Sequence, residues 1–341
     1  MPDIRIPDNP PTPQALIPQL TLLPLLTQAI GTVAELGVAD HIGDEPVSTR
    51  ALAEAVGADP TNLRRCLRVL AATGLFKPEP QDSWSLTAFG QSLKTDSPQS
   101  TRYMSAVLSY PFHWLPFGRF ADCIKTGQAP VKEALGMDMW SYLEEHPSQA
   151  DHFSKAMAEI TASVSAPMLE LYDFSHAKTI VDVAGAYGAL LAAILNEYPT
   201  ADGVLFDMPH IVAEANKVLG QTAPRVTKVG GSFFEDDIPV GDQYLLKHIL
   251  HDWPDAEALK ILQGIRRAMP HNARLLVIEM IMPDEPSHGA IALLDLAMMV
   301  LFGGKERTEA EYEALLNKAG LRLERTIPTG GLFSLLEAVP D

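Results

Sequence analysis

Residues 178–207 read KTIVDVAGAYGALLAAILNEYPTADGVLFD, two short apolar runs with a longer segment of helical character between them. TIVDV and GVLFD are rich in Val, Ile and Leu and are bounded by turn residues, so each reads as a buried strand. A strand, a helix and a second strand in immediate succession predict a βαβ unit, and therefore a parallel pair. The rhythm continues with VTKVGG, DQYLLKHIL, AEALKILQGIRRAM and ARLLVIEMI and closes on two more strands, GLRLERTIP and FSLLEAV. The predicted fold class is α/β, with a doubly wound, Rossmann-like sheet over residues 171–341.

Upstream of that sheet the pattern changes. The first thirteen residues hold five prolines and no apolar period, and are expected to form a flexible arm. Residues 14–43 are helical and too apolar for a solvated face, with Pro18 and Pro24 breaking or kinking the first part. This face is expected to be a subunit interface. Between residues 44 and 100 a helix capped by Ser48, a turn at Gly57, a helix opened by DPTN and a hairpin carrying WSLT give a winged-helix outline. Residues 14–100 thus form a helical, winged-helix-like domain, and residues 101–170 a helical linker rich in Met and aromatics.

Composition removes several function classes. Residues 1–100 carry 7 Lys and Arg against 11 Asp and Glu, and the whole chain has a net charge of −17, so the winged helix lacks the basic surface that a DNA-binding regulator needs. The two cysteines, Cys66 and Cys123, belong to no ligand cluster, and no metal site is expected. Neither a signal peptide nor an uninterrupted apolar run of about 20 residues is visible, which suggests a cytoplasmic protein that neither enters membranes nor binds nucleic acid.

In a doubly wound sheet the ligand lies at the carboxyl ends of the strands. Asp182 stands just ahead of the turn AGAYG, Asp207 ends the second strand, and the third runs into GGSFF, with Ser232 and Phe233. Asp207 is suited to a ribose. Gly185 and Gly188 are the only glycines of the turn, short of a GxGxxG fingerprint, and Asp182 would repel a pyrophosphate, which argues against a dehydrogenase. A cofactor with a positive centre and an amino-acid tail, such as S-adenosylmethionine, suits that carboxylate better. The fourth strand leads into LHDW, placing His251 at the same edge, while Glu279 ends the next strand and Glu306 follows a glycine pair. A carboxylate on one imidazole nitrogen fixes the tautomer and makes the other a base able to deprotonate a hydroxyl.

These residues carry a resemblance. LHDW at 250–253, GGKERT at 303–308, FDMPH at 206–210 and LLVIEMIMP at 275–283 are similar to the classical-type (class I) S-adenosylmethionine-dependent O-methyltransferases of natural-product biosynthesis, over nearly the whole chain. The resemblance implies a homodimer with interlocked N-terminal helices and a small hydroxylated aromatic or polyketide-type substrate. It makes His251 the general base, oriented by Glu279 and Glu306, and gives Asp207 the ribose and Lys247 the cofactor side. It also places Met137, Trp140, Phe153, Met157, Asp252, Met298, Met299 and Phe302 around the substrate. The family turn, DVGGGxG or DVGGAxG, is here DVAGAYG, and Ser232 stands where an Asp is usual. On hydrogen-bond magnitudes each change costs roughly 1–2 kcal/mol of cofactor affinity. A methyltransferase-fold enzyme that no longer transfers methyl, such as an isomerase, cyclase, hydroxylase or decarboxylase, is the alternative reading.

Overall fold

A computed structural model describes residues 12–285 and 289–341. All but the last two residues of the expected arm, 1–13, lie outside the described residues. The chain separates into two compact units, one of residues up to Arg119 with Val131–Ile160, the other of Phe120–Pro130 with Thr161–Asp341.

In the first unit, helices Pro13–Thr21 and Leu23–Glu35 are separated at Leu22, where Pro24 falls in the opening turn of the second helix and has no N–H to continue the first. Pro18 is accommodated inside the first helix. Three strands, β1 (Val47–Ser48), β2 (Phe76–Glu79) and β3 (Ser83–Leu86), form a small antiparallel sheet in the order β1-β3-β2. Ser48 caps helix Thr49–Val56 through the Ala51 N–H at 3.2 Å, and Gly57 ends that helix at φ +68°. Asp59 caps helix Pro60–Ala72 through the Asn62 N–H at 2.9 Å. Leu63, Leu67 and Leu70, at helical spacing, supply its buried stripe. One feature departs from the sequence reading: Leu16–Glu35 is long and apolar enough to cross a membrane by composition, with a mean hydropathy of 1.4, although its polar residues break up any uninterrupted run.

The second unit is built on seven strands: β4 (Thr179–Val183), β5 (Asp202–Asp207), β6 (Val226–Gly230), β7 (Gln243–Lys247), β8 (Arg274–Met280), β9 (Leu321–Pro328) and β10 (Phe333–Pro340). Their order is β6-β5-β4-β7-β8-β10-β9. The first five are parallel, and β10 runs antiparallel to both neighbours. Order reverses between β4 and β7, so the crevice above their carboxyl ends is the switch point where such sheets take ligands. β4 and β8 are buried on both faces, which is why they read as continuous apolar runs. Val181, Val183, Tyr244, Leu246, Leu275 and Val277 pack on one face with Ala258, Ile261, Leu262 and Ile265 of helix Asp255–Ala268.

Candidate active site

The turn after β4 keeps a glycine-like backbone without the glycines. Ala184 and Ala186 sit at φ 55° and 50°, in the left-handed region that disfavours a Cβ by about 1–2 kcal/mol each. The turn is pinned from the neighbouring strand. Ala184 N–H donates to Phe206 O at 2.7 Å, and Ala186 N–H to Asp207 Oδ2 at 2.8 Å. Gly185 is the residue that must lack a side chain, because a Cβ there would lie 2.4 Å from Asp182 Cγ and 2.7 Å from Leu205 Cδ1. Gly188, at φ +82°, opens helix Ala189–Glu197. Tyr187 is half-buried within the turn.

Around this turn lies a set of buried acids. Burial pushes Asp182 up to about 7, with Lys247 opposing and Asp207 adding to the shift. Asp182 is 2% exposed, and its Oδ2 is buried without a hydrogen-bond partner. Asp207 is also raised by burial, against the N–H groups of Met208 and Ala186 that hold its two oxygens. Lys247 is lowered by burial, while Asp182, Glu279 and Asp252 hold it up. At the end of β6, Ser232 N–H donates to Asp236 Oδ2 at 2.8 Å, and Ser232 Oγ accepts from Phe234 N–H at 3.2 Å, so this hydroxyl tightens its own turn. Phe233 and Phe234 meet Trp253 edge-on, with ring centroids 6.0 and 4.8 Å away, and make an aromatic wall. The orphaned Asp182 oxygen, the close approach left open by Gly185, the Asp207 carboxylate and this wall fit a ligand that combines a cationic centre, a ribose and a flat base.

His251 occupies the short turn Leu250–Asp252 after β7 and is 3% exposed. Its Nδ1 lies 2.7 Å from Glu306 Oε1, a contact that needs one proton between the two atoms. Nε2 lies 3.3 Å from Asp252 Oδ1. Burial pushes Asp252 up to about 6. Burial likewise pushes Glu306 up to about 8, with Asp295 adding to it and Arg307 opposing. Asp295 also accepts from the Glu306 N–H at 2.9 Å.

Glu279 differs from its expected place. It makes no hydrogen bond to the His251 ring. Its Oε1 accepts from the N–H groups of Ile249 and Leu250 at 3.0 and 2.8 Å, so it holds the backbone of the turn that carries the histidine. Strand β8 ends beside that backbone, which presents two unpaired donors, and a fully buried carboxylate satisfies them first. Arg307, also fully buried, clasps the same turn by donating to Leu250 O at 2.7 Å and Trp253 O at 2.8 Å, and it pairs with Asp255 at 2.8 Å. Gly304 packs its backbone on the turn: a Cβ would lie 2.0 Å from His251 O.

The expected substrate residues fall in both units. Met137, Trp140, Phe153 and Met157 belong to the first, where Trp140 meets Phe153 edge-on at 6.0 Å and Phe153 meets Phe112 at 6.1 Å. Met298, Met299 and Phe302 belong to the second, at the end of helix Ala290–Leu301 just before the glycine pair. Met298 is buried, while Met299 and Phe302 are half-buried. The sequence reading gave no role to His248, Asp295 or Arg307. Only Arg307, within the quoted GGKERT, carried a signal, and nothing in a sequence shows that an arginine will be buried.

Comparison with known proteins identifies the family. Residues 117–322 match the family model of an O-methyltransferase domain, and residues 19–96 that of an O-methyltransferase dimerisation domain. The phenazine O-methyltransferase PhzM of Lysobacter antibioticus is 36% identical over 319 residues, 92% of this chain and 93% of that protein. The mitomycin biosynthesis 6-O-methyltransferase of Streptomyces lavendulae is 37% identical over 335 residues, 96% and 95% of the two chains. The crystal structure of NcsB1, an O-methyltransferase from neocarzinostatin biosynthesis in complex with S-adenosylmethionine and 2-hydroxy-5-methyl naphthoic acid, superposes with a TM-score of 0.76 at 31% identity, covering 92% of this chain and 96% of that one.

Proposed function

The chain belongs to the S-adenosylmethionine-dependent O-methyltransferase family, and from that premise we propose that it methylates a hydroxyl of an aromatic or polyketide-type secondary metabolite with His251 as general base. The observation that carries the assignment is the 2.7 Å contact between His251 Nδ1 and Glu306 Oε1. In the form with the shared proton on Nδ1 and Glu306 as the accepting carboxylate, Nε2 presents its lone pair to the acceptor hydroxyl and takes its proton. Asp252, 3.3 Å from Nε2, stabilises the imidazolium that forms. Glu279 and Arg307 fix the turn so that this nitrogen stays in one place.

When bound, S-adenosylmethionine supplies an electrophilic methyl group on a sulfonium. Asp182, Lys247 and the turn at Gly185 and Gly188 would hold its amino-acid end, Asp207 its ribose, and Ser232 and Phe233 its base. Buried carboxylates with raised pKa suit a positively charged ligand, since its charge replaces the proton that each would otherwise keep. The phenazine and mitomycin relatives, together with the naphthoic acid of the NcsB1 complex, support a planar hydroxylated acceptor. Met298, Met299 and Phe302 offer apolar surface for one. We place the homodimer contact on the apolar N-terminal helices, within the segment that matches the dimerisation model.

The test is turnover of a panel of hydroxynaphthoates and hydroxyphenazines with S-adenosylmethionine, followed by mass spectrometry for a methyl gain. His251→Ala is expected to lower kcat by about 10²–10⁴ while cofactor affinity changes little. A variant that retains near-normal kcat would remove the general-base assignment.

A further inference from the structure

Beside the His251–Glu306 pair stands a third group that the methyl-transfer reading does not use. His248 lies directly after β7 at φ 58°, a conformation rare for a histidine, and its N–H donates to Ile278 O at 3.0 Å. Held this way, its ring stacks on that of His251 with centroids 3.8 Å apart and 28° between planes, and meets Phe333 edge-on at 5.3 Å. His248 Nε2 is buried with no hydrogen-bond partner, and so is Glu306 Oε2, on a side chain that is 0% exposed. One ligand atom each from His248, His251 and Glu306 lie within 4.8 Å of one another.

We propose that His248, His251 and Glu306 form a binding site for a divalent transition-metal cation of the zinc class, and that its occupancy blocks the catalytic base. Two imidazole nitrogens and one carboxylate oxygen are a donor set that zinc accepts, with bonds of about 2.0–2.2 Å and a remaining position for water or another ligand. Bonds of that length bring ligand atoms closer together than the present spread, so side-chain rotation must draw the three atoms inward. The chemistry of the pocket favours that closure. His248 Nε2, buried and without a hydrogen-bond partner, is committed to no other group and is open to ligation. Glu306 sits near Asp295, Asp252 and Glu279, an excess of buried carboxyl groups that a dication relieves. The cation takes the place of the proton between His251 Nδ1 and Glu306, and that proton moves to His251 Nε2, since a neutral imidazole ligated through one nitrogen carries its N–H on the other. A cation on these donors holds the Glu306 oxygen that orients the base and fixes the His251 ring, so proton abstraction stops while it is bound. No cysteine takes part and the ligands come from two separate segments, which is why scanning for ligand spacing finds nothing.

The inference rests on the geometry of the three side chains and is tested apart from methyl transfer. The full-length protein is titrated with Zn²⁺ against a chromogenic chelator, beside a His248→Asn variant, since asparagine tolerates the positive φ that this position requires. Melting curves and S-adenosylmethionine titration check that the variant is folded, and His248→Gln serves if His248→Asn is not. The expected result is one tight zinc equivalent per chain in the parent and an affinity lower by roughly tenfold or more in the variant. Co²⁺ in place of zinc is expected to give visible bands of a histidine-ligated site that the variant loses. Zinc bound equally by both proteins, or by neither at a hundredfold excess over protein, overturns the proposal.

Discussion

Two neighbouring residues in the turn after β4, Gly185 and Ala186, differ in what a substitution does. Ala186 is exposed at φ 50°, so replacing it with glycine relieves a strained backbone without removing a packed group, at the expense of a more mobile unfolded chain. The two effects are each about 1 kcal/mol and opposed, and Ala186→Gly is expected to leave stability within that margin. Gly185→Ala is different, because its Cβ would fall 2.4 Å from Asp182 Cγ inside the buried turn. Calorimetric titration is expected to show S-adenosylmethionine binding retained in Ala186→Gly and lost in Gly185→Ala; equal affinity in both would mean that the ligand does not depend on this turn. Asp182 supplies a second test. Its carboxyl is neutral below about 7 and charged above, because burial disfavours the anion. A ligand with a positive centre binds the anion better, so affinity rises as pH climbs through that value and levels off beyond it. Asp182→Asn has no proton to lose and is expected to flatten the profile and weaken binding, and a parent profile flat across this range would place the cation elsewhere.

The turn that carries His251 is held from three directions: Glu279 on its N–H groups, Arg307 on its carbonyls, and Gly304 against its backbone. Gly304→Ala cannot be absorbed by a flexible side chain, since its Cβ would lie 2.0 Å from His251 O and 2.5 Å from Asp252 C. A displacement near 1 Å at a reacting group costs on the order of a hundredfold in rate, so kcat is expected to fall by about that much with cofactor affinity little changed. An unaltered kcat would show that the glycine pair does not position the base. How much of this arrangement the sequence disclosed follows from the range of the forces involved. The caps at Ser48 and Asp59, the break at Pro24 and the strands TIVDV and GVLFD are set by neighbours within a few residues, and each was legible. That His251 and Glu306 meet follows from the resemblance, whereas adjacent strand ends argue only for His251 beside Glu279. The choice Glu279 makes between an imidazole and two backbone N–H groups depends on the path of a turn thirty residues away, which no local pattern encodes. The same holds for His248, whose placement on His251 needs a positive φ unexpected of a histidine, and for Ala184 and Ala186, where the residue type suggests a reshaped turn but the backbone keeps the glycine-like path.

The distribution of apolar surface over the chain gives the remaining prediction. Leu22, Leu23 and Leu25 are 59, 40 and 64% exposed, and Ile17 is 56% exposed, in and between two helices whose joint segment Leu16–Glu35 has the length and apolar composition of a membrane span. Single exposed leucines need no explanation, but four within nine residues form a patch that water does not favour. Two kinds of cover are physically available, a bilayer or a protein surface. The break at Leu22 and Pro24 leaves helices of 9 and 13 residues, each shorter than the roughly 20 that span a hydrocarbon core. The dimerisation-domain match begins at residue 19, inside this patch, which favours a second copy of the chain. Burying three such leucines is worth several kcal/mol per chain, on the order of 1.5–3 each, enough to matter to a dimer. Light scattering coupled to size exclusion is therefore expected to give twice the 37.1 kDa chain mass for the parent. The Leu22→Glu, Leu25→Glu double variant is expected to shift toward the single-chain mass, because two carboxylates on a face that must lose its water cost more than the contact returns. A parent that runs as a single chain, or a double variant that stays fully dimeric, would move the subunit contact off these helices.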